Sequence, residues 1–137
     1  MIVFRVELRY TPIKYIDDSG LYKNLTNVGP YQRKRYNKET GFQHHNLSWY
    51  AMDTMPGPSE ENLDFNPGEH VFGFVNLDKL RTWWKRDYED LQDAGFYVAQ
   101  YKVDRRCVSV SPSQCAFKIR KAKLIGWQEL DQVFQEA

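Results

Sequence analysis

The sequence predicts an α+β fold on a mainly antiparallel sheet, and three observations point to it. Residues 2–10 alternate apolar and polar side chains at the period of a strand. Residues 70–103 (HVFGFVNLDKLRTWWKRDYEDLQDAGFYVAQYKV) read as strand, capped amphipathic helix, glycine stop and strand. Residues 106–119 read as a hairpin around Ser111-Pro112-Ser113. Strands in sequence linked by turns, with few helices, favour α+β over a doubly wound parallel sheet. A chain of 137 residues fits one domain, 1–137, around a single core.

In the first strand Ile2, Phe4, Val6 and Leu8 share one face, and Val3, Arg5, Glu7 and Arg9 share the other. The first is a core face; the second is either solvated or lines a cleft. Residues 11–29 hold turn signals (Thr11-Pro12, Asp17-Asp18-Ser19-Gly20, Gly29-Pro30) with little periodicity. Residues 31–50 are polar, basic and aromatic, and 52–69 are broken by Pro56-Gly57-Pro58 and Asn66-Pro67-Gly68. The expectation between 11 and 69 is mostly long loops or short elements.

A strand at 70–75 then leads into one main helix over about 77–94. Asn76 is a good N-cap, because its side-chain oxygen can accept an otherwise orphaned amide of the first turn. Leu77, Leu80, Trp84, Tyr88 and Leu91 form one apolar stripe at helical spacing. Gly95 suits the left-handed position that stops a helix. A strand follows at 96–103, then the hairpin, in which Val110 faces Cys115. Residues 122–125 extend the sheet. A short helix at 127–134 closes the chain, with Trp127, Leu130, Val133 and Phe134 inward.

Formal net charge is +1, so no global field favours nucleic acid or membrane. The charge is uneven, however. Residues 31–50 carry Arg33, Lys34, Arg35 and Lys38 against Glu39, while 53–69 carry Asp53, Glu60, Glu61, Asp64 and Glu69 with no Lys or Arg. No apolar run approaches the ~20 residues that span a bilayer. Cys107 and Cys115 read as small hydrophobes rather than a disulfide or metal pair. Adjacent His44 and His45 point apart on an extended chain and chelate poorly; no metal is expected. Gly73, inside a strand, marks a close approach by a ligand or another backbone, or a bulge.

VFRVE at 3–7, GPY at 29–31, PGP at 56–58, HVFGFVNLDKLRTWW at 70–84 and GFYVAQYKV at 95–103 together resemble small accessory proteins carried by bacteriophages. That resemblance carries no activity with it. More distantly, the layout resembles the ADP-ribosyltransferase fold, in which a first strand bears Arg or His, an aromatic strand enters a helix, and a late strand places a catalytic Glu. This second resemblance implies that Arg5 binds the pyrophosphate of NAD. It places Phe72, Gly73 and Phe74 beside the nicotinamide, and Gln114 where the Glu would stand. Gln114 can bond a ribose hydroxyl but cannot be a carboxylate base. Retained catalysis would need Glu7, Glu69 or His70, so Arg5, His70 and Gln114 are the catalytic candidates.

The leading expectation is a phage accessory protein that binds a host or anti-phage-defence protein in the host cytoplasm, with no cofactor and no catalysis. Its surface would combine Arg33, Lys34, Arg35, Tyr36, Trp49 and Tyr50 with Asp53, Glu60 and Glu61. The alternatives are an NAD-binding protein or enzyme, and a nucleic-acid-binding module that stacks bases on the aromatics of 36–50.

Overall fold

A computed structural model describes residues 1–8, 12–16, 22–27, 55–66 and 69–135, with 12–16 and 22–27 as backbone. Strand β1 (Ile2–Leu8) is followed by the hairpin strands β2 (Pro12–Ile16) and β3 (Tyr22–Asn27), then β4 (His70–Gly73). Helices α1 (Leu77–Trp84) and α2 (Tyr88–Asp93) lead to β5 (Phe96–Val103), β6 (Val108–Val110), β7 (Cys115–Lys118), β8 (Ala122–Glu129) and α3 (Leu130–Gln135). Short 3-10 turns occupy Arg105–Cys107 and Ile119–Lys121. All strand pairings among the described residues are antiparallel, so the fold is α+β as the sequence predicts.

The described strands form two three-stranded sheets, ordered β1-β5-β8 and β4-β7-β6, beside the β2-β3 hairpin. Phe4 and Phe74 join the two sheets through reciprocal backbone bonds. Phe4 N–H donates to Phe74 O (2.8 Å), and Phe74 N–H donates to Phe4 O (2.7 Å). The second sheet then folds over the first. Val3, Tyr97, Ala99, Tyr101 and Val103 of the first sheet meet Val71, Cys115, Phe117 and Ile119 of the second in one core. A second core lies on the other face of the first sheet. There Val6, Leu8, Phe96 and Val98 pack under Leu80, Trp83, Trp84, Leu91, Leu130 and Val133 of the helices. The first sheet is therefore a middle layer, and β1 is buried on both faces from Arg5 through Leu8. Of the two settings that alternation allows for the face of Arg5 and Glu7, the structure shows neither solvent nor an open cleft but the core between the sheets.

The sequence and structure agree at the helix ends. The Asn76 side chain accepts from Lys79 N–H at 2.8 Å, and Gly95 has φ +93°. The single helix over 77–94 is instead two, broken at 85–87. Asp87 is a weak interior helix former, and its carbonyl accepts the first bond of α2, from Leu91 N–H at 2.9 Å. The apolar stripe survives the break, because Tyr88 stacks on Phe134 of α3 with centroids 4.2 Å apart.

Of the short elements expected after β1, the structure shows the antiparallel strands β2 and β3, where Tyr15, Ile16, Tyr22 and Leu25 favour strand. Two further expectations are corrected. The strand at 70–75 ends at Gly73, where the junction with Phe4 takes over. The closing helix begins at Leu130, and Trp127 lies on β8, 48 % exposed, because β8 continues to Glu129. Arg33, Lys34, Arg35, Tyr36, His44, His45, Trp49, Tyr50 and Asp53 lie outside the described residues.

Candidate functional site

Arg5 and Glu7 stand two apart on β1 and so share the face that looks into the inter-sheet core. They are 5 % and 1 % exposed. Arg5 Nε lies 3.5 Å from Glu7 Oε2, and Tyr101 Oη donates to the same oxygen at 2.7 Å. The Tyr101 ring in turn packs on Phe117, centroids 5.6 Å apart. This is a carboxylate held by a guanidinium and a phenol inside a core. Tyr101 is itself 4 % exposed, so in this conformation the carboxylate faces protein rather than solvent.

Phe72 points the other way. Val71 and Phe117 belong to the inter-sheet core, so their neighbours Phe72 and Ala116, themselves paired, occupy the outer face of the second sheet. Residues 55–66 cover that face. Phe65 meets Phe72 edge-on at 5.1 Å, and Gln114 Nε2 donates to Pro56 O at 3.3 Å. Asp64 N–H donates to Ser109 Oγ at 3.2 Å. Glu61 accepts from Ser111 Oγ at 3.0 Å and from Ser113 N–H at 3.1 Å, one bond to each carboxylate oxygen. His70 Nδ1 accepts from Asn66 N–H at 3.0 Å.

Arg5 therefore lies on one side of the second sheet, and Phe72 and Gln114 lie under the segment that covers the other. Phe74 is in the helical core against Trp83, centroids 5.7 Å apart. Gly73 faces the carbonyl of Phe4. Glu60 is exposed, and Glu69 is exposed with its carbonyl accepting from Ile119 N–H at 3.3 Å.

The surface gathers different residues. Leu124, Ile125 and Trp127 of β8 are 49 %, 45 % and 48 % exposed. Beside them, Lys102 of β5 pairs directly with Lys123 of β8, and both are exposed. The turn after β5 adds Arg105 and Arg106; the turn before β8 adds Arg120 and Lys121. The acid within this stretch is Asp104, which binds Arg106 through contacts of 2.9 and 3.2 Å. Those bonds hold the Asp104 carboxyl down at about 2. β5, the hairpin and β8 bring the two halves of this cluster together in space. A charge count over 102–123 would have found it: Lys and Arg recur there against Asp104 alone.

A family model described as bacteriophage T4 Y00F protein matches residues 1–131. The chain belongs to that family. No curated protein and no solved structure matches it significantly. Membership makes the chain a small bacteriophage accessory protein, in line with the first resemblance drawn from its motifs. The match runs from β1 into α3 and so takes in both sheets and the exposed strand β8.

Among the described residues no group of three or more His, Cys, Asp or Glu side chains is placed to hold a metal. No helix among them is long and apolar enough to cross a membrane. Both cysteines are free thiols. Cys115 is buried between the sheets, and burial pushes its thiol up to about 12. It is therefore a protonated core residue and a poor nucleophile at neutral pH.

Proposed function

We propose that this phage protein works by binding, with a host or anti-phage-defence protein of the bacterial cytoplasm as its target, which it occludes or modulates. The observation that carries the reading is the contrast between its interior and its surface. Glu7, Gln114 and Glu61 direct their polar groups to hydrogen bonds within the fold, and Arg5 is buried beside Glu7. Large apolar side chains and a set of cations are displayed outside, on β8 and the adjoining turns. Exposed apolar groups rimmed by charge are characteristic of interaction surfaces. The composition of the chain supports the same reading, with Arg33, Lys34, Arg35, Tyr36, Trp49 and Tyr50 followed by the acids Asp53, Glu60 and Glu61.

Affinity capture from a nuclease-treated bacterial lysate tests this. The expected result is a protein partner that co-elutes with the phage protein in gel filtration; recovery of none would count against binding as the function. NAD serves as the counter-test. A ligand at about 100 times its Kd stabilises a protein by about 2.7 kcal/mol. The expected result at millimolar NAD is no shift in Tm, and a clear upward shift would favour the transferase-like alternative.

A further inference from the structure

We infer that β8 is the docking edge, and that its occupant is an extended segment of the bacterial partner in which acidic and apolar side chains alternate. The inference rests on the binding function proposed above and names the surface and the partner's chemistry.

β8 is the outer strand of the sheet ordered β1-β5-β8. Among the described residues no strand pairs with its outer side. In an antiparallel pair, alternate residues of an edge strand turn their N–H and C=O groups away from the partner, where they can template another strand. Proteins usually protect such an edge with proline, short length, charged side chains or a bulge, and of these β8 carries Lys123 and a bulge. β8 is eight residues long (AKLIGWQE) and contains no proline. A register shift places a bulge at Ile125, between the Gln100–Gly126 and Tyr101–Leu124 pairs. That bulge re-aims side chains without removing the apolar ones.

The two faces of the edge differ in chemistry. Leu124 pairs with Tyr101 and Trp127 with Ala99, so both lie on the face that continues the inter-sheet core. Lys123 pairs with Lys102 on the opposite face. Side chains along an added strand would alternate between these faces. One set would pack on Leu124 and Trp127, and the other would come over Lys123, with Lys102 one strand further in. A strand that alternates apolar and acidic residues satisfies both.

The lysine pair supplies the charge argument. Like charges directly opposite in a sheet are destabilising. Neither lysine has an ion pair among the described residues, and nor do Arg105 and Lys121 beside them, while Asp104 is taken by Arg106. An acidic strand would neutralise this arrangement. A nucleic-acid phosphate chain could meet the cations, but it would leave the backbone edge and Leu124 in water, so the acidic peptide fits more of the surface.

The test uses the full chain and a fluorescein-labelled peptide as long as β8, alternating Glu and Val. An alternating Lys–Val peptide and a single-stranded DNA oligonucleotide are the comparisons. The Glu–Val peptide is expected to bind about tenfold more tightly than the Lys–Val peptide and more tightly than the DNA, with slowed amide exchange along β8. Lys102→Glu with Lys123→Glu is expected to weaken it about tenfold, a loss of about 1.4 kcal/mol. Arg105→Glu, which lies in an exposed turn outside the strand ladder, is expected to weaken it as well and covers the case in which the double variant fails to fold. Equal binding of the two peptides, wild-type binding by the folded variants, or tighter binding of the DNA would each overturn the inference. A partner captured from lysate that still binds the Lys102→Glu/Lys123→Glu protein would remove β8 as the site and leave the binding function standing. Capture of no partner would remove the function itself.

Discussion

Gly73 sits so close to Phe4 that a Cβ on it would lie 2.6 Å from the Phe4 carbonyl oxygen and 3.1 Å from the Phe117 ring. The close approach that a glycine within a strand suggests is thus made by another backbone. The absent side chain lets β1 and β4 meet where the two sheets join. Gly73→Ala should push the Phe4 carbonyl away and weaken the two hydrogen bonds between Phe4 and Phe74. The expected cost is about 1–3 kcal/mol, the usual range for overpacking, read as a lower urea midpoint at an unchanged m-value.

The Arg5–Glu7–Tyr101 cluster should show the asymmetry of buried ion pairs. Glu7→Gln removes the carboxylate charge that faces the buried guanidinium and should cost about 3–5 kcal/mol. Tyr101→Phe removes one hydrogen bond to a charged group, at about 1.5–3 kcal/mol. Replacing both charges, as Arg5→Met with Glu7→Leu, should cost less than Glu7→Gln alone. Urea unfolding of the three variants measures this; a double variant less stable than Glu7→Gln would mean the pair stabilises the fold by more than satisfying itself.

Local signals made much of this fold legible. Asn76, the stripe through Leu80, Trp84 and Leu91, Gly95 and the Val110–Cys115 register all act over a few residues, and the structure has each in place. What the sequence hides depends on distant partners. Nothing near Trp127 says that β8 continues past Ile125; the pairing with Ala99 and Tyr97 decides it. Glu61 reads as a free surface acid until the turn at Ser111 and Ser113 is brought to it. The lysine pair on β5 and β8 belongs to the same class. The break at Asp87 is legible in principle, since Asp is a poor helix interior residue, but the unbroken stripe outweighs it.

The two thiols should separate cleanly. Cys115 is buried with its thiol pushed up to about 12, whereas Cys107 is half-buried. At pH 8 a thiol reagent should label Cys107 in the native protein and reach Cys115 only on unfolding. The same shift sets a pH dependence. The folded protein keeps the Cys115 proton up to about 12, and the unfolded chain releases it near 9.0. This contribution is fully present below pH 9.0 and is lost as the pH rises toward 12. Relative to Cys115→Ala, the wild type should therefore lose stability more steeply above that lower value, as followed by urea unfolding at a series of pH values.

Lys102 and Lys123 offer a test that separates surface function from fold. In the free protein the two like charges face each other across β5 and β8. Lys123→Glu turns repulsion into an opposite-charge pair, and such cross-strand pairs contribute roughly 0.2–1 kcal/mol. The single variant should thus melt slightly above the wild type at low salt, with the gain shrinking as salt screens both terms. A residue maintained only for stability would show the opposite sign. A gain in Tm together with weaker binding of the acidic peptide would mean that Lys123 costs the fold a little and serves the surface. A loss of stability on Lys123→Glu would instead place this lysine among the groups that hold β8 to β5.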